Sequence, residues 1–178
     1  DDPTNLEVLT TLLIQEGYAV VTAFGGSQAL AQVEAVRPDL ILLDAVMPGL
    51  DGYEVCRRLR QDFDAATLPI IMVTALFQAK DKERAFAAGA NDYLSKPFER
   101  SELLGRIQAH LAVKAAHQRL QENEQLRQEV EQRKAAEKAL LVRAQHLSWL
   151  LDTQKDAILA VDQDWQVIYL NRKAQRLW

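Results

Sequence analysis

Short runs of large aliphatic residues alternate with longer amphipathic stretches along the first hundred residues. The run Asp39–Asp44 holds four consecutive aliphatic residues, is too short for a helix, and leads into Pro48-Gly49. It therefore predicts a strand that is buried on both faces. Pro69–Thr74 repeats this design. Further strands are predicted at 18–23 and 92–97, and helices at 6–17, 26–37, 52–62 and 80–88.

Strands that alternate with helices predict an α/β fold with a doubly wound parallel sheet. In such a sheet the carboxyl ends of the strands meet at one edge, where ligands bind. Asp44, Thr74 and Lys96 end three of the predicted strands. We therefore expect these three side chains to share that edge.

The second half of the chain lacks strong helix breakers, because no Pro follows Pro97 and no Gly follows Gly105. Its Gln, Glu, Ala, Leu, Arg and Lys content predicts one long helix over 102–151. Two seven-residue registers run along it, one with Leu126, Leu140 and Leu147 interrupted by Arg133, and one with Val130, Ala144 and Leu151 interrupted by Glu137. This leaky heptad pattern favours a parallel homodimeric coiled coil over a lone solvated helix, with a slip in phase between Leu120 and Leu126.

The three histidines, His110, His117 and His146, all fall in the long helix. None has the helical spacing of a metal site or an acidic neighbour in sequence, so exposed helical histidines are expected. After the helix, residues 156–171 predict a β-hairpin, followed by a helix that Asn171 caps.

Charge is uneven along the 178 residues. Residues 1–100 carry 9 Lys and Arg against 15 Asp and Glu, which disfavours direct contact with nucleic acid and suits a site that holds a cation. The single cysteine, Cys56, excludes an internal disulfide. No apolar run approaches the roughly 20 residues of a membrane span, so a soluble, cytoplasmic protein without membrane contact is expected.

The chemistry of the predicted edge is that of phosphoryl transfer. If Asp1 and Asp2 reach the same edge, three carboxylates form an oxygen-rich nest that suits Mg²⁺ and leaves positions open for phosphate oxygens. Asp44 could then attack phosphorus and form an aspartyl phosphate. Lys96 and the Thr74 hydroxyl would neutralise and bind the phosphoryl oxygens.

These motifs resemble the receiver domain of two-component response regulators. The matching features are Asp1-Asp2, Asp44 with Met47-Pro48-Gly49 and Asp51-Gly52, Thr74-Ala75, Gly89-Ala90, and Asp92-Tyr93-Leu94-Ser95-Lys96-Pro97-Phe98. The resemblance implies a flavodoxin-like fold of five strands in the order 2-1-3-4-5. Because a strand should precede the acidic pair, we expect the sequence to be a fragment that lacks the first strand.

The resemblance also implies the roles of individual residues. Asp44 would be the phosphoacceptor for a histidine kinase or a phosphotransfer protein, and Asp1, Asp2 and Asp44 would hold Mg²⁺ together with the Val46 backbone carbonyl. Thr74 and Lys96 would contact the phosphate, Thr74 and Tyr93 would form the switch pair, and Pro97 would follow a cis peptide bond. Such a protein mediates its own phosphorylation and is not otherwise an enzyme.

The tail resembles the opening of a PAS sensory domain, with Asn171, Ala174 and Leu177-Trp178 in the expected places. The expected organisation is a receiver over 1–100 whose last helix continues to about 112, a coiled coil over 101–151, and part of an α+β PAS domain over 152–178. The output domain would lie beyond Trp178 and could be a histidine kinase or a cyclase. With a histidine kinase output, the whole protein would be a hybrid histidine kinase.

Two other interpretations stay open. An aspartate-nucleophile phosphohydrolase would share Asp44 and Lys96, but that family has a second acid two residues after the nucleophile, where this chain has Val46. A dimerising adaptor with an inactive receiver would be expected to lose Asp44, Lys96 or the acidic pair, and all of them are present.

Overall fold

The computed structural model describes residues 3–75 and 78–177, with backbone only for 3–5. The helices are α1 Pro3–Gln15, α2 Gly26–Val36, α3 Gly52–Asp62, α4 Ala79–Ala87 and α5 Arg100–Asp152; the strands are β1 Ile41–Asp44, β2 Ile70–Thr74, β3 Asp92–Ser95, β4 Leu159–Val161 and β5 Val167–Leu170. A short 3₁₀ helix follows at Ala174–Arg176. The chain divides into two compact units, the first ending at Gln121 and the second beginning at Glu122.

The first unit is built on a parallel sheet with the order β1-β2-β3. Every residue of β2 is buried, whereas in β1 only Leu43 is. The predicted burial on both faces is only partial: Ile41 and Leu43 pack in one core and Leu40 and Leu42 against the other, but within β1 only Leu43 is buried. Among the described residues β1 has β2 as its one paired neighbour, so it lies at an edge and β2 takes the middle position.

The described residues form neither the predicted strand at 18–23 nor the five-stranded order 2-1-3-4-5. Tyr18 and Val20 pack against the core while Val21 is 54% exposed, so the apolar alternation is present without a ladder. A strand needs a neighbour for its backbone hydrogen bonds. The neighbour expected from the resemblance would precede Asp1, outside the described residues.

Helices cover both faces of this sheet, as a doubly wound fold requires. Successive residues of a strand point to opposite faces, and β2 divides accordingly. Ile70 and Met72 belong to a core with residues of α2, α3 and α4, while Ile71 and Val73 belong to a second core with Leu13 of α1 and residues of α5. The predicted α/β layering of residues 1–100 is confirmed by this arrangement.

Helix α5 packs on the sheet well beyond residue 112. Leu103 and Ile107 are buried in the second core. Lys114, only 8% exposed, donates to a carboxylate oxygen of Asp39 at 2.8 Å and so ties the helix to the segment that precedes β1. The helix belongs to the first unit until Gln121 rather than leaving it near 112.

Two of the three histidines are not freely exposed, which corrects the expectation from sequence. His110 lies 3.2 Å from Asp92, which also accepts two hydrogen bonds from Arg106 at 2.8 Å. His117 has a buried Nε2 atom with no hydrogen-bond partner among the described residues. The acidic partner of His110 was missed because it lies 18 residues away in sequence.

In the second unit, β4 and β5 form the predicted antiparallel hairpin. Asn171 is fully buried; its Oδ1 accepts from the backbone N–H of Ile158 and of Ala174, and its Nδ2 donates to the carbonyls of Leu151 and Asp156. Asn171 thus binds the N–H of Ala174, the first residue of a 3₁₀ helix of three residues, although the residue at the N-cap of that helix is Lys173. Within the described parts of the chain, no helix is long and apolar enough to cross a membrane.

Candidate functional site

Two strands and the residue after a third bring the predicted side chains to one edge of the sheet. β1 ends at Asp44 and β2 at Thr74, and Lys96 directly follows β3. Lys96 Nζ donates to Asp44 Oδ2 at 2.6 Å, and the two side chains are 27% and 19% exposed. An ion pair that is mostly withdrawn from water, yet open on one side, holds the carboxylate in place and leaves it accessible.

The backbone after Asp44 folds back on the carboxylate. The N–H of Val46 donates to Asp44 Oδ1 at 3.0 Å, and the N–H of Gly52 donates to the Ala45 carbonyl at 3.1 Å. A Cβ atom at Gly52 would lie 2.0 Å from the Asp44 carbonyl oxygen, so no larger residue fits without a shift of the backbone. The Asp-Gly of the sequence motif therefore closes the loop that carries the carboxylate.

Asp51 links this loop to two helices. Its Oδ1 accepts from the Glu54 N–H at 2.8 Å and caps α3, and its Oδ2 accepts from Arg84 of α4 at 3.0 Å. The Arg84 guanidinium also lies 4.0 Å from the centre of the Tyr53 ring. Arg84 thus joins α4 to the first turn of α3, a role that sequence analysis missed because Arg84 and Asp51 are 33 residues apart.

Tyr53 and Tyr93 are the aromatic residues beside this link. Tyr53 is 1% exposed, and its hydroxyl has no hydrogen-bond partner in the described part of the chain. Burial raises the pKa of Tyr53, and the nearby Asp81 carboxylate raises it further. Burial also raises the pKa of Tyr93, with added effects of Tyr53 and Asp81. Both hydroxyls therefore stay protonated over the physiological pH range.

Thr74 is completely buried at the end of β2, where it is paired in register with Ser95 of β3. Tyr93 is half-buried and lies two residues earlier on β3, next to Met72. The predicted switch pair thus occupies neighbouring strands. The Lys96–Pro97 peptide bond is cis, as the resemblance implies.

The predicted metal ligands are described only in part. Asp44 and Val46 are in contact through the hydrogen bond given above, whereas Asp1 and Asp2 lie outside the described residues. Residues 3–75 and 78–177 contain no cluster of three or more acidic, histidine or cysteine side chains that could hold a metal. The predicted ligand whose contacts are described, the Asp44 carboxylate, is a hard oxygen donor of the kind that Mg²⁺ prefers.

Comparison with known proteins gives a family match over most of the first unit. Residues 1–108 match the response regulator receiver domain family. Among curated proteins, the chain is 43% identical over 111 residues to the DNA-binding dual master transcriptional regulator RpaA of Synechocystis, and 44% identical over 111 residues to the DNA-binding response regulator MtrA of Mycolicibacterium smegmatis. These alignments cover 62% of this chain and 46% and 47% of the relatives, so the chain spans about half of their length.

Solved structures give the same match. A response regulator of Chloroflexus aurantiacus is 46% identical with a TM-score of 0.59, and the alignment covers 63% of this chain and 92% of that one. The receiver domain of a sensor histidine kinase from Pseudomonas aeruginosa is 39% identical with a TM-score of 0.58 over the same shares. That structure has a magnesium ion coordinated in its active-site cleft.

Proposed function

The chain belongs to the response regulator receiver domain family, and on that basis we propose that Asp44 is the phosphoacceptor of a two-component phosphorelay. The observation that carries the proposal is the 2.6 Å contact between Lys96 Nζ and Asp44 Oδ2 at the carboxyl edge of the sheet. A phosphohistidine of a histidine kinase or phosphotransfer protein would be the donor. Its P–N bond breaks as an Asp44 carboxylate oxygen forms a P–O bond, giving an acyl phosphate.

The residues around Asp44 have separate tasks in this transfer. Lys96 neutralises charge on the phosphoryl oxygens, and the Thr74 hydroxyl binds one of them. Asp1, Asp2, Asp44 and the Val46 carbonyl would hold Mg²⁺, which would supply positive charge to neutralise the transferring phosphoryl group. The carboxylate of Asp44 at the carboxyl edge of the sheet and the magnesium in a related receiver support this assignment.

We propose Thr74 and Tyr93 as the switch that reads the phosphoryl group. Their places on adjacent strands, beside Tyr53 and the Asp51–Arg84 link, support a path from the phosphate to α4. Thr74 would move toward the phosphate and let Tyr93 turn inward. The signal would then pass to α5, whose first turns pack against β3.

For the rest of the chain we propose a parallel homodimer through 102–151 and the start of a PAS domain at 152–178. The exposed apolar registers of α5 support the dimer, and the hairpin with its buried Asn171 supports the PAS assignment. A cytoplasmic hybrid histidine kinase fits this order of parts. The receiver of one related structure likewise comes from a sensor histidine kinase.

The curated relatives are named as DNA-binding regulators, but the match covers less than half of each. We propose that the acidic receiver of this chain makes no direct contact with nucleic acid, because its excess of Asp and Glu would repel phosphates. The intact Asp44, Thr74 and Lys96 disfavour an inactive adaptor, and Val46 disfavours a phosphohydrolase.

Intact-mass spectrometry after treatment with acetyl phosphate tests the phosphoacceptor. We expect one added phosphoryl group in Mg²⁺ buffer, almost none after chelation of the metal, and none in Asp44→Asn under either condition. Asp51→Asn is a matched control, because it changes a neighbouring carboxylate that caps α3 rather than the acceptor. Equal phosphorylation of wild type and Asp44→Asn would rule the assignment out.

A further inference from the structure

The second unit contains a long stretch of α5 whose apolar residues are uncovered. Leu126, Leu140 and Leu147 of one heptad register are 58%, 69% and 53% exposed, and Val130 of the other is 49% exposed. Such residues recur every seven positions and so form a narrow stripe, the pattern of a coiled-coil seam. The registers assign the d positions to Leu126, Arg133, Leu140 and Leu147, and the a positions to Asn123, Val130, Glu137, Ala144 and Leu151.

The side chains of the helix leave a shallow groove that borders this stripe. The groove is lined by Asn123, Leu126, Arg127, Val130, Glu131 and Lys134. Asn123, Leu126 and Val130 of this lining are a and d residues, and Arg127 and Lys134 are e residues beside the seam. This is the shape that a facing helix fills with its own apolar side chains.

The flanking charges complement those of a second copy of this chain in parallel orientation, which is the occupant that we propose. In a parallel pair, a g residue faces the e residue five places later on the other helix. Glu122 would face Arg127 of the second copy, and Glu129 would face Lys134 of the second copy. Both pairs are attractive. Lys134 now contacts Glu131 at 3.1 Å, but both side chains are more than 60% exposed, so exchanging that partner costs little.

This inference rests on the proposed dimer. We infer that Arg133 and Glu137 form a charged layer inside the seam, in which Arg133 of each copy pairs with Glu137 of the other. In a parallel pair equal positions share a layer, so Arg133 lies beside Arg133 of the second copy and Glu137 beside Glu137. Each Arg133 also packs against the Glu137 that follows it on the facing helix, and this contact neutralises both charges. The layer fixes the register, because sliding one helix by a heptad would place Arg133 or Glu137 against leucine or alanine without a counter-charge.

The charges also choose between the two directions of pairing. An antiparallel arrangement could bring Arg133 to Glu137 as well, but it would place Lys134 of the two copies against each other. The parallel arrangement has no such like-charge contact between flanking positions. The core charges therefore set the register and the flanking charges set the orientation, at some cost in stability.

Mixing two variants of the full chain tests the layer. Arg133→Glu makes it wholly acidic and Glu137→Arg makes it wholly basic, so each variant alone should dimerise about tenfold or more weakly than wild type in sedimentation equilibrium. Their mixture should form heterodimers in preference to either homodimer. The double variant R133E/E137R should recover wild-type dimerisation.

Leu126→Cys introduced in both variants reports orientation, because equivalent d positions meet only in a parallel, in-register pair. We expect heterodimers to form a disulfide at this position. The unmodified chain is the control, because Cys56 is fully buried and should not cross-link.

The possible outcomes test the dimer and the charged layer separately. A wild-type chain that stays monomeric would overturn both. A wild-type dimer without heterodimer preference would overturn the charged layer alone. Heterodimers that fail to cross-link at position 126 would overturn the parallel register. All of these measurements use the unphosphorylated chain, so none of them tests the assignment of Asp44 as the phosphoacceptor.

Discussion

At the scale of single residues, Gly52 shows how closely the loop after the phosphoacceptor is packed. A side chain there would have to displace the Asp44 carbonyl oxygen or the Ala45 Cα, which lie 2.0 Å and 3.0 Å from the position that a Cβ atom would take on that glycine. Gly105 of α5 is the opposite case, with nothing within 4 Å of an added Cβ. Alanine substitutions at these two glycines therefore form a matched pair, one with a steric clash and one without.

We predict that Gly52→Ala lowers the free energy of unfolding by about 1–3 kcal/mol, since it overpacks a closed loop. Gly105→Ala should raise it by about 0.5–1 kcal/mol, because alanine loses less entropy than glycine in a helix. Urea denaturation of the two variants measures both effects. A Gly52→Ala protein as stable as wild type would show that the loop is not held as described.

At the scale of elements, the contacts that hold α5 on the sheet carry charge. Asp92, at the start of β3, accepts both hydrogen bonds from Arg106 and lies within 3.2 Å of His110. Burial raises the pKa of Asp92, but the hydrogen bonds from Arg106, the Tyr93 N–H and His110 outweigh it and hold that pKa below the ordinary 3.8. The ionised carboxylate is therefore favoured by folding.

A pKa lowered by folding makes stability depend on pH in one direction. The contribution of Asp92 is fully present well above pH 3.8 and is lost as pH falls through the lowered pKa of the folded state. We predict that wild type loses more stability than Asp92→Asn between about pH 5 and pH 2.5. Thermal unfolding across this range measures the difference, and parallel curves for the two proteins would contradict it.

The elements also show what a sequence pattern can and cannot predict. Helix α3 and strand β2 begin and end within a residue of their predicted bounds, because Gly52, Pro69 and the apolar run mark them locally. The edge position of β1 and the absence of a ladder at 18–23 depend on neighbours in space. Periodicity carries no information about neighbours.

In the site, too, local features were predictable from the sequence and contacts between distant residues were not. The positions of Asp44 and Lys96 follow from strand ends and were predictable, whereas their 2.6 Å contact joins residues 52 apart. The contact between Lys114 and Asp39 joins residues 75 apart, so the docking of α5 beyond 112 could not be predicted. Neither could the link from Arg84 to Asp51, since each alone is typical of a surface charge.

At the scale of the whole molecule, we predict that phosphorylation is read through α5. Cysteines placed singly at Leu126, Leu140 and Leu147 should form intermolecular disulfides, and BeF₃⁻ with Mg²⁺ should change their relative rates, because the slip in phase between Leu120 and Leu126 leaves the seam two packings close in energy. A coupling of only about 1–3 kcal/mol would suffice. Asp44→Asn is the control and should not respond to BeF₃⁻.

Cross-linking at none of the three positions, with or without BeF₃⁻, would mean that α5 does not pair in parallel. Cross-linking that BeF₃⁻ leaves unchanged would mean that the helix pairs but does not carry the signal. Either result would leave the receiver chemistry at Asp44 intact.

The most direct test of Asp44 as the phosphoacceptor is to locate the phosphoryl group on the chain. Borohydride reduces an aspartyl phosphate to homoserine, and tandem mass spectrometry of the digested protein then identifies the modified position. After treatment with acetyl phosphate and Mg²⁺, we predict homoserine at position 44 and at no other aspartate. Homoserine at Asp51 or elsewhere with Asp44 unmodified, or none at all, would contradict it.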